Sequence, residues 1–184
     1  MLAYVTDALT RFRHDHPRKP QHQPYPRIEI NYGAKYQYSE AANVSPTTIK
    51  ADKKIVQEVK GDFLYYAWEF NPTMLTALEY ITAQQAKPTE QKMKKVKQFL
   101  DYASTHPDAI IKYHASDMVL SGHSYASYLY ETKARSRAGR NLFMSNNTEL
   151  PINNGTVLNI SKIIKAVMSS AAEAELGALF INCK

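Results

Sequence analysis

The spacing of apolar residues changes near Pro107, and this change limits the possible folds more than any other feature of the chain. Before it, apolar residues recur every three or four positions, as at Leu2, Val5 and Leu9, which is the spacing of an amphipathic helix. After it come short runs of β-branched and aromatic residues separated by Asn and Gly, which are typical of strands and turns. A Ser-rich entry and strong helix formers then indicate a closing helix over Met168–Asn182. The sequence therefore predicts an α+β fold.

The predicted elements divide the chain between His106 and Pro107. On the N-terminal side, apolar periodicity and proline breaks predict four helices, at residues 1–13, 52–68, 74–85 and 90–104. On the C-terminal side, four short runs predict strands, at residues 109–115, 118–130, 141–146 and 156–161. We therefore expect a helical region over residues 1–106, and strands with one helix over residues 107–184.

A proline-rich segment follows the first helix. Four prolines exclude a helix from residues 16–26 and predict an extended linker there: Pro17, Pro20, Pro24 and Pro26. A cluster of polar side chains in and before this segment could suggest a metal site: His14, Asp15, His16 and His22. Beside so many prolines, a flexible polar linker is the favoured interpretation. The histidines at positions 106, 114 and 123 lack the spacing of metal ligands and are interpreted as structural.

The chain has a mild basic bias, with a formal net charge of +6 and a pI of about 9.2. This bias fits nucleic-acid contact, but many proteins that bind no nucleic acid share it. The fourth predicted helix carries a run of lysines: Lys92, Lys94, Lys95 and Lys97. A solvated face is the favoured interpretation of this run, and a surface that faces nucleic acid is the alternative.

Cysteine content and hydropathy indicate the cellular compartment in which the protein is expected. Cys183 is the single cysteine, so neither an internal disulfide nor a thiolate zinc site can form, and a reducing compartment is favoured. No apolar run reaches the roughly 20 residues that span a bilayer. Residues 1–12 lack the features of a signal peptide. We therefore expect an intracellular protein, cytoplasmic or nuclear, without a membrane partner.

Ordered motifs occur in four segments, at residues 59–89, 113–139, 141–147 and 167–180. The first contains VKGDFLYYAW, the second HSYASY, the third NLFMSNN and the fourth SSAAEAELGAL. In this order they resemble the reverse-transcriptase connection, the first two RNase H strands and the first RNase H helix of copia-type LTR retrotransposon polyproteins. The family's strand motif is S-D-A-S and its helix motif is S-S-T-E-A-E-Y. Residues 9–25 also resemble the stretch that follows the polymerase palm in these elements.

The resemblance implies a fold and an activity for each part of the chain. Residues 1–106 would be the C-terminal connection region of a reverse transcriptase. Residues 107–184 would be the N-terminal half of an RNase H-like domain, an incomplete mixed sheet with one helix. The family enzymes are RNA-directed DNA polymerases with ribonuclease H activity. Their RNase H site holds Mg²⁺ or Mn²⁺ between carboxylates, because two cations hold the phosphodiester for in-line attack.

The resemblance also implies which residues would form the RNase H site. Glu175 falls at the position of the metal-binding helix Glu, while Glu173 points elsewhere on the helix. Tyr125 falls at the position of the first-strand Asp, and a neutral phenol is a poor ligand for a hard cation. Asp117 is an unfavoured substitute, eight residues earlier. The alternatives are that Glu175 is an ordinary exposed helix acid and Tyr125 an ordinary strand aromatic.

The chain given ends at Lys184, before the next strand of the resemblance and its Asp. Of the carboxylates that the family uses, only Glu175 is present, as a vestigial and weak metal ligand. One carboxylate cannot hold two cations. We therefore expect a degenerate fragment that is catalytically inactive and holds no cofactor.

A basic group follows the first predicted strand: Lys133, Arg135, Arg137 and Arg140. It would either contact the backbone of an RNA–DNA hybrid or form a solvated loop. The alternative function is therefore a non-catalytic module that binds nucleic acid through its basic surface. Gly139-Arg140 stands where the family has Gly-Gly. An incomplete sheet would also expose an unpaired edge, which favours self-association.

Overall fold

The computed structural model describes residues 2–26, 50–82, 89–131 and 134–183. These residues form two compact units, and the first ends at Ile110. This division lies close to the predicted one after His106, and the identities of the two regions remain predictions. The α+β class is confirmed, because helices make up the first unit and a sheet with one helix makes up the second.

The first unit contains four helices, as predicted: α1 (Leu2–Arg11), α2 (Lys50–Glu69), α3 (Thr73–Thr82) and α4 (Glu90–Thr105). Residues 83–85 of the third predicted helix lie outside the described residues. Pro72 lacks an N–H group and separates α2 from α3, while the Asn71 carbonyl accepts from the Met74 N–H at 3.0 Å. The hydroxyl of Thr89 accepts from the Lys92 N–H at 3.4 Å and caps the start of α4.

The core of the first unit consists of the apolar stripes of its helices. Val5, Val59 and Phe63 are fully buried, and so are Ile81 and Phe99. The rings of Phe63 and Phe99 meet edge to face with their centroids 5.2 Å apart, a favoured aromatic geometry. Burial of such a side chain stabilises the folded state by about 1.5–3 kcal/mol. The apolar stripes therefore explain why the predicted helices pack against one another.

Tyr66 of α2 attaches the segment after α4 to this core. Its ring is buried, and its hydroxyl donates to the Pro107 carbonyl at 3.1 Å and accepts from the Ala109 N–H at 3.3 Å. Burial raises the pKa of Tyr66, so its hydroxyl stays protonated and available as a donor at neutral pH.

The prediction of a flexible proline-rich linker was wrong. Residues 14–26 form no helix, as predicted, but they lie along α4 and are held there by hydrogen bonds. His14 Nε2 lies 2.8 Å from Asp101 Oδ1, and His16 Nδ1 lies 2.7 Å from Ser104 Oγ. The Gln21 N–H donates to Thr105 Oγ1 at 3.0 Å. Prolines remove N–H donors from this segment, so its contacts with α4 use side chains and the remaining N–H groups.

The described residues of the second unit form three strands, β1 (Val119–Glu131), β2 (Arg135–Ser145) and β3 (Thr156–Ile163), and the helix α5 (Ala171–Asn182). The strands pair in the order β1-β2-β3, and both pairings are antiparallel. The expected sheet was an incomplete, mostly antiparallel one, and the three described strands are antiparallel throughout. Short connections join consecutive strands, and such connections suit antiparallel pairs.

The strand predicted at residues 109–115 does not form. The side chain of Asn154, before β3, accepts from the His114 N–H and donates to the His114 carbonyl, each at 2.8 Å. The ring of Tyr113 lies against Gly155, where a Cβ atom would come within 2.5 Å of it. The backbone of His114 is thus satisfied by a side chain and not by a strand ladder. The apolar run alone could not reveal this partner.

α5 packs across β1 and β2 through small residues. Ala178 is fully buried and clusters with Ala138 of β2 and with Ile164, which follows β3. Small side chains allow the helix backbone to come close to the sheet. The opposite side of the helix is also apolar, and there Leu176, Leu179 and Phe180 are exposed.

Candidate functional site

The faces of the sheet decide which side chains of the predicted RNase H site can meet. Ala126 pairs with Ala138, and both lie against the cluster that includes Ala178 of α5. Neighbouring residues of a strand point to opposite faces, so Tyr125 and its partner Gly139 lie on the face away from α5. The Tyr125 ring covers Gly139, since a Cβ atom on that glycine would come within 2.5 Å of it.

Glu175 lies on α5 and is exposed, so it is on the other side of the sheet from Tyr125. The structure therefore does not bring these two predicted positions together. In the described ranges, no group of three or more His, Cys, Asp or Glu side chains could hold a metal ion. The residues present at positions 125 and 175 do not fit a divalent cation, which needs several oxygen ligands from one place.

Glu173 caps α5. Its carboxylate accepts from both the N–H and the hydroxyl of Ser169, each at 2.6 Å, and the Ser170 hydroxyl accepts from the Glu173 N–H at 3.1 Å. The hydrogen bonds from the Ser169 side chain and N–H lower the pKa of Glu173. Ser170 and Glu173 have the spacing of a capping box, and this local sequence signal could have identified Glu173 as a capping residue.

Asp117 lies in the segment before β1, against the turn that follows β2. Its carboxylate accepts from the Asn147 N–H at 3.0 Å, and its own N–H donates to Asn146 Oδ1 at 3.1 Å. These bonds give Asp117 a role in holding the turn. They do not bring it to Tyr125 or Glu175.

The described members of the basic group lie in a strand and not in a loop. Lys133 lies outside the described residues, and Arg135, Arg137 and Arg140 belong to β2. Arg137 is only 7% exposed, and its Nε donates to Glu131 Oε1 at 2.6 Å. Its Nη1 donates to Ser161 Oγ at 3.0 Å. Buried in this ion pair, Arg137 has no open path to a nucleic-acid backbone.

Arg140 holds the end of α5 on the opposite face. Its guanidinium donates to the Asn182 carbonyl, one of the carbonyls that a helix end leaves without an intrahelical donor. The Asn182 amide in turn donates to the Gly139 carbonyl at 2.9 Å and to Ser124 Oγ at 2.7 Å. Arg140 therefore has a structural role at the end of α5.

The face of the sheet away from α5 is polar. His123 bonds to Asn153 Oδ1 at 2.8 Å, and its ring lies 5.2 Å from that of Phe143. Asn141 and Asn159 are directly paired across β2 and β3. In each, one buried amide atom has no hydrogen-bond partner in the described part of the chain, Asn141 Oδ1 and Asn159 Nδ2. Among the described residues, this face is therefore largely polar, and Phe143 on it is fully buried.

The lysine run of α4 is not simply a solvated face, as was favoured. Lys92 and Lys95 are buried, and their Nζ atoms lie 4.6 and 4.5 Å from the centroid of the Tyr80 ring. Lys92 Nζ donates to the Tyr80 carbonyl at 3.0 Å, and Lys95 Nζ donates to the Tyr80 hydroxyl at 2.5 Å. Lys94 is exposed, and Lys97 pairs with Asp101 at 3.0 Å. The run therefore divides between the interior and the surface.

The N-terminal histidines do not converge on one point. His14 and His16 contact Asp101 and Ser104, and His22 Nδ1 lies 3.1 Å from His106 Nε2. The three histidines contact different positions along α4, so their side chains do not meet as a set of metal ligands. His106 ends α4 and is not in a strand context.

Comparison of the chain with protein-family models, with curated protein sequences and with solved structures gave no match. None of the described helices is long and apolar enough to cross a membrane.

We expect the two halves of the lysine run to respond differently to substitution. Lys95→Ala removes a buried stem, a hydrogen bond and a cation–π contact, and should lower the free energy of unfolding by about 1–3 kcal/mol. Lys94→Ala, the matched exposed control, should change it by less than about 0.5 kcal/mol. Urea denaturation followed by far-UV circular dichroism measures both. Equal effects of the two substitutions would contradict the burial of Lys95.

The cap of α5 should depend on pH. Because the pKa of Glu173 is lowered from the ordinary 4.5, its stabilisation is complete above pH 4.5 and is lost as pH falls through the lowered pKa. The Ser169 amide proton shift in NMR should titrate with a midpoint below 4.5. Glu173→Gln should abolish that titration and Glu175→Gln should retain it. A midpoint at or above 4.5 would argue against the cap.

Proposed function

We propose that this chain is a catalytically inactive, RNase H-like fragment of a copia-type retrotransposon polyprotein. The ordered motifs support the family. The antiparallel order β1-β2-β3, followed by a helix on one face of the sheet, agrees with the first half of the implied RNase H-like domain. The Ser-Ser entry of the helix also has a physical reason in this chain, since Ser170 and Glu173 cap α5, although one residue more separates the serines from the first Glu than in the motif S-S-T-E-A-E-Y.

One observation carries the proposal of inactivity: Tyr125 and the helix with Glu175 lie on opposite faces of the sheet. Two-cation hydrolysis needs carboxylates that converge on one point. Tyr125 supplies a phenol, which is a poor ligand for a hard cation, and its ring covers Gly139. A carboxylate introduced at position 125 would lie on the face of the sheet away from Glu175.

We therefore expect no metal-dependent hydrolysis by the full chain. An RNA–DNA hybrid incubated with the chain and Mg²⁺ or Mn²⁺ should be cleaved no faster than in buffer, and a hybrid-cleaving nuclease serves as the positive control. Tyr125→Asp should remain inactive, because the new carboxylate would not meet Glu175. Metal-dependent turnover that Glu175→Ala abolishes would sink the proposal.

A second candidate function is a non-catalytic module that binds nucleic acid. The formal net charge of +6 favours it. The burial of Arg137 and the engagement of Arg140 with α5 remove two of the four side chains on which the basic surface was predicted. Any binding would therefore use other cations of the chain.

Salt dependence decides between this candidate and an inert chain. Each neutralised phosphate lowers the slope of log K against log salt by about 0.9 for a duplex. We expect the affinity for an RNA–DNA hybrid, measured by fluorescence anisotropy, to fall steeply with salt if the module binds phosphates. Arg137→Met should leave that slope unchanged, because Arg137 is paired inside the second unit. Absent or salt-independent binding excludes this candidate.

A further inference from the structure

His22 and His106 lie side by side although 84 positions separate them in the sequence. His22 Nδ1 is 3.1 Å from His106 Nε2, the ring centroids are 5.2 Å apart and the ring planes are inclined at 57°. A neutral imidazole has one N–H donor and one nitrogen that accepts, so a single proton is held between these two nitrogens. Each ring therefore already directs one nitrogen toward the other ring.

The C-terminal end of α4 fixes the position of His106. Its backbone N–H donates to the Tyr102 carbonyl at 2.9 Å, and its ring centroid is 4.8 Å from that of Tyr102. Tyr102 is buried, and its hydroxyl lies 2.8 Å from Thr73 Oγ1 of α3. His106 is thus attached, through a buried neighbour, to the core of the first unit.

Contacts on both sides of His22 hold its segment against α4. The Gln21 N–H donates to Thr105 Oγ1 at 3.0 Å, and Gln98 Nε2 donates to the Gln23 carbonyl at 3.2 Å. These bonds position His22 independently of its own side chain. The fold therefore brings the two imidazoles together, and a ligand that needs both does not have to order the backbone when it binds.

The separation of the two nitrogens matches that of two imidazoles on one metal ion. Zinc–nitrogen bonds are about 2.0–2.1 Å long, so two such nitrogens lie about 2.9 Å apart at a right angle and about 3.3 Å apart at the tetrahedral angle. The observed 3.1 Å lies between these values. The two chain segments therefore need not approach one another. The rings need only lose the shared proton and rotate until both lone pairs point to one ion.

The chemistry and exposure of this histidine pair select the kind of ion. Neutral imidazole nitrogens suit Zn²⁺, Ni²⁺ and Cu²⁺, whereas Mg²⁺ and Ca²⁺ take oxygen ligands. His22 is exposed and His106 is half-buried, so an ion can reach the two nitrogens from solvent. Among the described residues, no third His, Cys, Asp or Glu joins the pair, which leaves the other coordination positions to water.

We propose that His22 and His106 bind one divalent ion of the Zn²⁺, Ni²⁺ and Cu²⁺ class, which cross-links residues 14–26 to the C-terminal end of α4. The pair is formed by the folded chain, so the ion stabilises the first unit by mass action. The inference rests on nitrogen ligands of the first unit. It does not depend on the proposed function, whose implied metal site uses carboxylates of the second unit.

Isothermal titration calorimetry of the full chain with Zn²⁺, without a histidine tag or a chelator, tests this site. We expect saturable binding of one ion per chain and no binding of Mg²⁺ at the same concentrations. His22→Gln should raise the dissociation constant for Zn²⁺ at least about tenfold, because glutamine can keep a hydrogen bond to His106 but supplies no imidazole. His106→Ala should weaken binding to a similar extent.

His16→Ala provides the matched control. His16 belongs to the same segment and also contacts α4, with its Nδ1 2.7 Å from Ser104 Oγ. The substitution removes an imidazole and one attachment of the segment but leaves the pair, so it should raise the dissociation constant less than about threefold. Cys183→Ser should leave the binding of Zn²⁺ unchanged, which separates the pair from the exposed thiol.

Thermal denaturation followed by circular dichroism tests the cross-link. Zn²⁺ should raise the Tm of the wild-type chain and should not raise that of His22→Gln, whereas without metal the two chains should melt alike. A wild-type chain without saturable Zn²⁺ binding overturns the proposal, and so does undiminished binding by His22→Gln. Equal weakening by His16→Ala and His22→Gln, with both variants folded, also overturns the pair as the site. Binding of Zn²⁺ without a rise in Tm overturns the cross-link.

Discussion

The alternation of side chains along β1 determines how the second unit is built. Ser124 and Ala126 point toward α5, where one bonds to Asn182 and the other joins the small apolar cluster. Tyr125, between them, points to the polar face and covers Gly139. Because this alternation is a property of the extended backbone, no side-chain rotation can move residue 125 to the helix side. The placement of α5, its terminal anchor and the separation of residue 125 from Glu175 all follow from this one register.

The positions of the helices and most strands could be predicted from the sequence, because they depend on local periodicity and on breaks. Pro72 and Thr89 mark helix boundaries by chemistry that acts within a few residues. The strand at residues 109–115 was wrongly predicted. Its backbone partner is the side chain of Asn154, about 40 positions later, and apolar pattern carries no information about such a partner.

The candidate site was harder to predict, because each of its residues depends on a distant contact. The sequence marks Arg137 as a cation, but Glu131 and the packing around β2 make it a buried one. Lys92, Lys94 and Lys95 are the same residue type in the sequence. The contact with Tyr80 on another helix distinguishes Lys92 and Lys95 from Lys94. Glu173 was the exception, since its capping box is a local signal that the sequence contains.

The contact between Tyr125 and Gly139 also constrains how the chain can change over evolutionary time. Any side chain at position 139 would collide with the ring, since even a Cβ atom would come within 2.5 Å of it. A glycine there leaves room for the ring, and a larger residue at position 139 would require the Tyr125 side chain to move. We therefore expect the effects of substitutions at the two positions to be coupled. Tyr125 thus restricts which side chains its partner on β2 can carry while the ring keeps this position.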